Sequence, residues 1–402
     1  MLAGAATRLG GQGAPASDAQ GGPAASAVAS FPFVFDDARV FVPVRVAGDT
    51  TRWFILDTGV GETIVDEGLA ARLGLAATDA GTVTGAGAGQ MRNGRAGSLP
   101  LHVGGVALTP SSISVSPLDS VLYPYAGRHA PGVIGWQFFT EHVLELDFDD
   151  HVVRVYDPKR YVYRGSGVII PFTFTGTSPV VAGALTLPNG TQRPARLLVD
   201  LGAKATLLVT EPFIRHDSLH AAFPRFVRAT LGAGVGGETR YDFVRVPKLT
   251  VGARGQAEIS GLVAGLSVEG TLRASDYDAL LGAEFLSRYR VIFDYYRKRL
   301  ILEPRAPAGA PAEVDMSGLY LLRPGGEHDP VVVHHVIADS PADRAGIQVG
   351  DIVETVNGDS IADGSLWPWR AALRSGDGRT VTVGIDHAGT RIVKTLVLKK
   401  LV

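Results

Sequence analysis

The chain has 402 residues, a formal charge of −2, 46% apolar residues and no cysteine. That length asks for two or three domains, and near-neutral charge without a basic block speaks against nucleic acid or an anionic membrane as partner. Missing thiols exclude disulfides, thiolate nucleophiles and Cys-ligated metals, while 50 glycines and 24 prolines favour many short strands and turns over long helices.

Residues 1–30, rich in Ala, Gly, Ser and Gln, have no periodic apolar pattern and are expected to be disordered. They lack the run of about 7–15 apolar residues of a secretory signal. No later segment approaches the ~20 uninterrupted apolar residues of a spanning helix. Alternation over 31–46 predicts strands, Gly48-Asp49-Thr50 a hairpin turn, and 52–56 the returning strand that delivers Asp57. Residues 68–74 have helical spacing and a glycine stop. A glycine-rich reach, 81–97, carries Gly85 and Gly87, and strands follow at 99–103 and 113–117. Val133-Ile134-Gly135 then leads into a hairpin turning at Asp149-Asp150.

The pattern repeats. Strand, Asn189-Gly190 turn and strand precede Asp200 as their counterparts precede Asp57, and a second glycine-rich reach holds Gly234 and Gly236. Leu280-Leu281-Gly282 matches Val133-Ile134-Gly135, and a hairpin at Arg297-Lys298 matches the earlier closing one. Each aspartate is followed by a glycine two residues on (Gly59, Gly202) and a threonine six residues on (Thr63, Thr206). The aspartates lie 143 positions apart and the glycines Gly135 and Gly282 lie 147 apart. Such a steady offset indicates duplicated lobes, at 31–160 and 161–304. A Pro/Ala linker at 305–314 leads to a compact unit at 315–402 with several strand patterns and a helix-like stretch at 366–373.

Two carboxylates brought together cannot both ionise cheaply, because repulsion raises one pKa and the pair shares a proton. The ionised member can take a proton from water while the protonated one donates to a scissile carbonyl, so a peptide bond is hydrolysed without a covalent intermediate. Gly59 and Gly202 let the turns fold tightly enough for that approach.

The segment Leu56-Asp57-Thr58-Gly59 through Thr63 resembles the active-site turn of retropepsin-like aspartic proteases, and the segments ending at Gly135 and Gly282 resemble that family's apolar-apolar-Gly motif. The resemblance covers 31–304. It implies a mainly β pseudo-dimer of two retropepsin-like lobes, with Asp57 and Asp200 as the catalytic dyad and Thr58, Gly59, Leu201 and Gly202 in its supporting turns. It also implies flap-like hairpins around Gly85, Gly87, Gly234 and Gly236, an extended polypeptide substrate, a monomer, and no metal or organic cofactor. The third unit, with Ser340-Pro341-Ala342, Gly350-Asp351-Ile352 and Asn357-Gly358, resembles a PDZ domain of the bacterial type. This implies a groove where C-terminal peptides add beside Gly318, Leu319, Tyr320 and Leu321. The combination is similar to bacterial aspartyl proteases with a C-terminal PDZ domain, which are commonly exported. Leu201 departs from the family's Asp-Thr-Gly pattern and removes half of a hydroxyl brace, about 1 kcal/mol per lost bond. Val60 and Ala203 stand where many acid-active relatives have a hydroxyl donor to the carboxylate, so an optimum nearer neutrality is expected.

Gly232 to Gly237 fits a dinucleotide fingerprint formally but lacks the βαβ setting, and residues 85–90 lack the Lys-Ser/Thr of a phosphate loop. His216 and His220 have no third ligand in view, and Asp147 and Asp294 read as structural turn residues. Two rivals to the peptidase remain: a peptide-holding protein whose dyad has decayed at Leu201, and a scaffold working through the PDZ-like groove.

Overall fold

The computed structural model describes residues 26–402, apart from 47–49, 86, 88, 217, 235, 268–269, 274–275, 307, 309–311, 327 and 362–363. The expected turn at Gly48-Asp49 and most of the expected disordered segment lie outside the described residues. Residues 29 and 30 of that segment depart from the expectation. Ala29–Pro32 is a strand whose Ala29 sits opposite Val155, because Phe31 is buried and carries its neighbours into the sheet.

The fold is mainly β, with 47% strand against 14% helix, and its halves repeat one another in register as well as in sequence. In the first half Thr51–Leu56 runs parallel to Gly132–Ile134, Leu56 opposite Ile134, and Ile64–Asp66 pairs antiparallel on the far side. In the second, Gln192–Val199 runs parallel to Ala279–Leu281, Val199 opposite Leu281, and Leu207–Val209 takes the antiparallel place. The last three residues of each strand approaching an aspartate, 54–56 and 197–199, are buried and apolar, as a strand covered on both faces requires.

The closing hairpins join the halves. Val143–Asp147 pairs antiparallel with Tyr289–Asp294, Leu146 opposite Val291, so one sheet runs under both halves. A single apolar core continues across it, including Leu56, Leu144, Val199 and Phe293. Asp147 accepts the Asp149 and Asp150 amides and Asp294 accepts that of Arg297, each a fully buried carboxylate at the base of its hairpin turn, braced by arginines.

The third unit is a five-stranded sheet in the order Leu319–Leu322, Val331–Val336, Ile352–Val356, Thr380–His387, Thr390–Val397. Its own core includes Leu321, Val353, Trp369 and Val383. Helix Trp367–Leu373 starts with a proline in its first turn, where the missing amide costs nothing. The Pro/Ala segment does not hold this unit at a distance: Ala312 is buried and its carbonyl accepts the Val263 amide at 3.1 Å.

Candidate active site

Each aspartate is set by the same four backbone elements. The Asp57 amide donates to Ile134 O and the Asp200 amide to Leu281 O, both at 2.9 Å. Gly135 and Gly282 lie under the loops that follow. Trp136 N donates to Val60 O and Ala283 N to Ala203 O. A Cβ on Gly135 would stand 2.7 Å from Glu62 O, and one on Gly282 would stand 2.6 Å from Ala203 O, so neither site has room for a side chain. Thr63 and Thr206 are buried behind the turns, with Thr206 Oγ1 donating to Glu284 at 3.3 Å.

The turns brace one another through one hydroxyl. Thr58 Oγ1 donates to Val199 O at 2.8 Å and accepts from Leu201 N at 2.9 Å, crossing from one half to the other. Leu201 is fully buried and offers no reciprocal bond. Its side chain packs into the common core instead.

Asp57 and Asp200 meet across this brace, each carboxylate lying against the glycine of the opposite turn. Contact is possible only because both following residues are glycine: a Cβ on Gly59 would lie 2.9 Å from the Asp200 carboxyl carbon, and one on Gly202 would overlap the Asp57 carboxylate. Gly59 N donates to Asp57 Oδ1 at 2.7 Å, and Gly202 N and Ala203 N donate to Asp200 Oδ1 at 2.9 and 3.1 Å. Burial raises the Asp57 pKa against those amides and Arg39. Burial together with the Asp57 charge lifts Asp200 well above the usual carboxylate range. Raised pKa values on two neighbouring buried carboxyls favour a singly protonated pair.

A cleft of about 990 Å³ opens above the carboxylates. Its two apolar walls are counterparts: Ile55, Met91 and Val133 on one side, Leu198, Tyr241 and Leu280 on the other. Two hairpins roof it. Thr78–Thr84 pairs with Gln90–Ala96, Val227–Gly234 pairs with Gly237–Val251, and their tips touch where Gly89 N donates to Gly236 O at 2.8 Å. Gly236 has φ +96°, a left-handed conformation that glycine adopts freely. Gly87 packs so closely on Gly236 that no Cβ would fit, and Gly85 and Gly234 line the cleft.

The third unit stands against this cleft, and here sequence reasoning missed functional residues. Asp37 is fully buried and meets three cations: Arg39 Nη1 at 2.9 Å, Arg370 Nη1 at 2.6 Å, and Lys204 Nζ. Burial alone would raise its pKa, but Lys204, Arg370 and Arg39 hold it well below the usual carboxylate range. Arg374 pairs with Glu284 at 2.6 Å, two residues after Gly282. Arg370 Nη2 also donates to Leu321 O, and Leu319 and Tyr320 line the cleft. Gly318, at φ +85°, turns the chain into that strand, its amide donating to Asp315 at 2.7 Å. The strand runs beside first-half helix Leu118–Ala126, with Arg323 N donating to Pro124 O and the Tyr320 ring 6.5 Å from Tyr125. Tyr295, buried among Phe139, Phe172 and Phe174, has its pKa raised by burial and then by the fields of Asp57 and Asp200. The only hint of the Asp37 cluster in the sequence is Lys204, standing where the first half has Gly61.

His220 Nε2 lies 3.7 Å from Asp242, and Asp217 falls outside the described residues. Trp369 is core, whereas Trp367 lines the cleft with its ring 6.3 Å from Phe35. Among the described residues no helix is long and apolar enough to cross a membrane.

No curated protein matches the chain. Residues 332–386 match the family model described as PDZ domain, and residues 42–138 match the one described as aspartyl protease. The latter segment takes in Asp57, Thr58, Gly59 and Gly135. The chain therefore combines an aspartyl-protease family segment with a C-terminal PDZ domain.

Proposed function

We propose that the protein is an aspartic endopeptidase in which Asp57 and Asp200 act together on an extended polypeptide. The observation that carries this reading is the pair of carboxyl groups brought face to face, each against the other turn's glycine, on the floor of a roofed, apolar-walled cleft. The ionised carboxylate takes a proton from water as that water adds to the scissile carbonyl, and the protonated one donates to the carbonyl oxygen; collapse then releases the amine. Glycine-rich tips that part and close admit the substrate. Leu319 and Tyr320 of the PDZ domain form part of the cleft wall, so that domain positions the substrate beside the dyad. Incubating the protein, Asp57→Asn and Asp200→Asn with a denatured protein over pH 3–8 tests this. Fragmentation by the parent and its loss in both variants is expected; fragmentation unaffected by either substitution removes the dyad from the account.

Buried Leu201 favours a second reading, a peptide-holding protein that does not cut, since it leaves the turns braced on one side only. Binding of a peptide that emerges uncut after prolonged incubation at every pH supports that alternative.

A further inference from the structure

The two cleft walls share a frame but not a chemistry. Reading outward from the strand that delivers each aspartate, the ladders set Ile55, Val133, Ile64, Ser114 and Arg95 side by side in the first half. The same steps in the second half give Leu198, Leu280, Leu208, Gly265 and Phe243. Both rows line the cleft throughout. They begin alike, with three apolar residues each, but the first ends on serine and arginine where the second ends on glycine and phenylalanine. Two residues before Arg95 and Phe243 come Asn93 and Tyr241, which also line the cleft.

Asn93 is a buried amide with one arm unused. It is 7% exposed, and its Oδ1 accepts the hydroxyl of Ser116, buried in the same wall, at 2.9 Å. Among the described residues no group meets the amide nitrogen. A carboxamide can be turned end for end, and a hydroxyl both donates and accepts. Whichever way round the amide lies, Ser116 satisfies one arm and the other is left for the cleft. A buried polar arm without a partner is costly, so a substrate group that fills it is selected over one that cannot. The charged neighbours pair with each other: Glu62 meets Arg95 at 3.4 Å and accepts the Ser114 hydroxyl. A neutral side chain carrying both a donor and an acceptor suits this corner best. In the second half Tyr241 and Phe243, buried with their rings 5.7 Å apart, present aromatic faces instead. Because the halves repeat about the seam where Asp57 and Asp200 meet, the two corners lie on opposite sides of the bond to be cut.

From this we infer that the enzyme is selective for a carboxamide. Asn93, with Ser116 behind it, recognises glutamine or asparagine at one fixed position on one side of the scissile bond. The Tyr241 and Phe243 corner takes a large apolar or aromatic residue on the other side. Asn93 sets specificity and takes no part in the proton transfers. This inference rests on the peptidase reading and narrows it, since a peptidase with apolar subsites on both sides satisfies that reading equally well.

The test uses the full-length protein. Cut sites in a denatured protein are mapped by mass spectrometry; glutamine or asparagine should recur at one position on one side, and large apolar residues on the other. Three peptides of one cleaved sequence follow, with glutamine, its near-isostere methionine, or glutamate at that position. Glutamine should exceed each of the others in kcat/KM by on the order of tenfold, the worth of one hydrogen bond. In Asn93→Leu, and in Asn93→Ala, which keeps the space open, the glutamine-to-methionine ratio should fall to one or below while cleavage persists. The ratio is internal to each variant, so a merely less stable protein would not move it. Apolar residues on both sides of the mapped cuts, equal parent rates for glutamine and methionine, or a preference for glutamate overturn the inference while leaving the peptidase intact. A ratio that survives both substitutions overturns the role of Asn93. No cleavage of denatured protein or of any peptide overturns the inference and the peptidase reading together.

Discussion

Replacing Asp37 by asparagine should be among the most damaging single changes in the molecule. Its carboxylate is 1% exposed and is the common partner of Arg39, Lys204 and Arg370, drawn from the first half, the second half and the PDZ domain. Asparagine has nearly the same shape, so packing is kept while three buried cations lose their counter-ion. Removing one partner of a buried ion pair costs about 3–5 kcal/mol. Urea unfolding followed by tryptophan fluorescence is well placed to see this, because Trp367 and Trp369 lie in the helix bearing Arg370. Acid gives a second signature. The folded pKa of Asp37 is held down, so its stabilisation is present above the unfolded value of about 3.9 and is lost as pH falls toward the lowered one. Asp37→Asn should lack that acid-dependent component. Arg370→Gln on the Asp37→Asn background should cost less than in the parent, a coupling of about 0.5–3 kcal/mol. A midpoint for Asp37→Asn within about 0.5 kcal/mol of the parent, as for an ordinary surface change, would refute the reasoning.

Thr58→Val deletes both cross-turn hydrogen bonds and leaves Val199 O and Leu201 N unsatisfied, so thermal or urea unfolding should show a loss of about 2 kcal/mol, with lower kcat. Leu201→Thr exchanges buried apolar contact, about 1 kcal/mol, for a hydroxyl able to complete the brace; stability should change little and kcat should rise. Gly282→Ala forces a methyl against Ala203 O and should cost about 1–3 kcal/mol, with loss of peptidase activity while the circular dichroism spectrum is retained. The folded pKa values of Asp57 and Asp200 are raised, so protonation of the pair stabilises the fold at low pH and this contribution fades as pH rises through the raised values. Activity needs the shared proton and should vanish on the same alkaline limb; a kcat/KM profile peaking below about pH 3 would contradict this.

The duplicated landmarks were legible in sequence because each is local. An aspartate followed by glycine two residues on and an apolar pair before glycine describe a turn and its support, and Gly59, Gly202, Gly135 and Gly282 are found doing that work. The missing half of the brace was legible too, since Leu201 simply lacks a hydroxyl. Apart from Lys204 at the position of Gly61, nothing local marks the Asp37 cluster. Its members are far apart in sequence, its carboxylate reads as an ordinary turn residue, and Arg370 reads as a solvated helix position. The same limit applies to helix Leu118–Ala126, where Pro124 between two tyrosines points to no helix, yet this element meets the PDZ strand. Ala29 and Ser30 enter a strand because of the partner waiting at Val155, not because of their own propensities.

Carbon-13 NMR titration of the aspartate carboxyls, with Asp57→Asn and Asp200→Asn for assignment, tests the shared proton most directly. The protein should show two coupled steps set well apart, the upper far above about 3.9, and either substitution should merge them into one. Two independent titrations near the ordinary value, unchanged when the neighbour is replaced, would contradict the account.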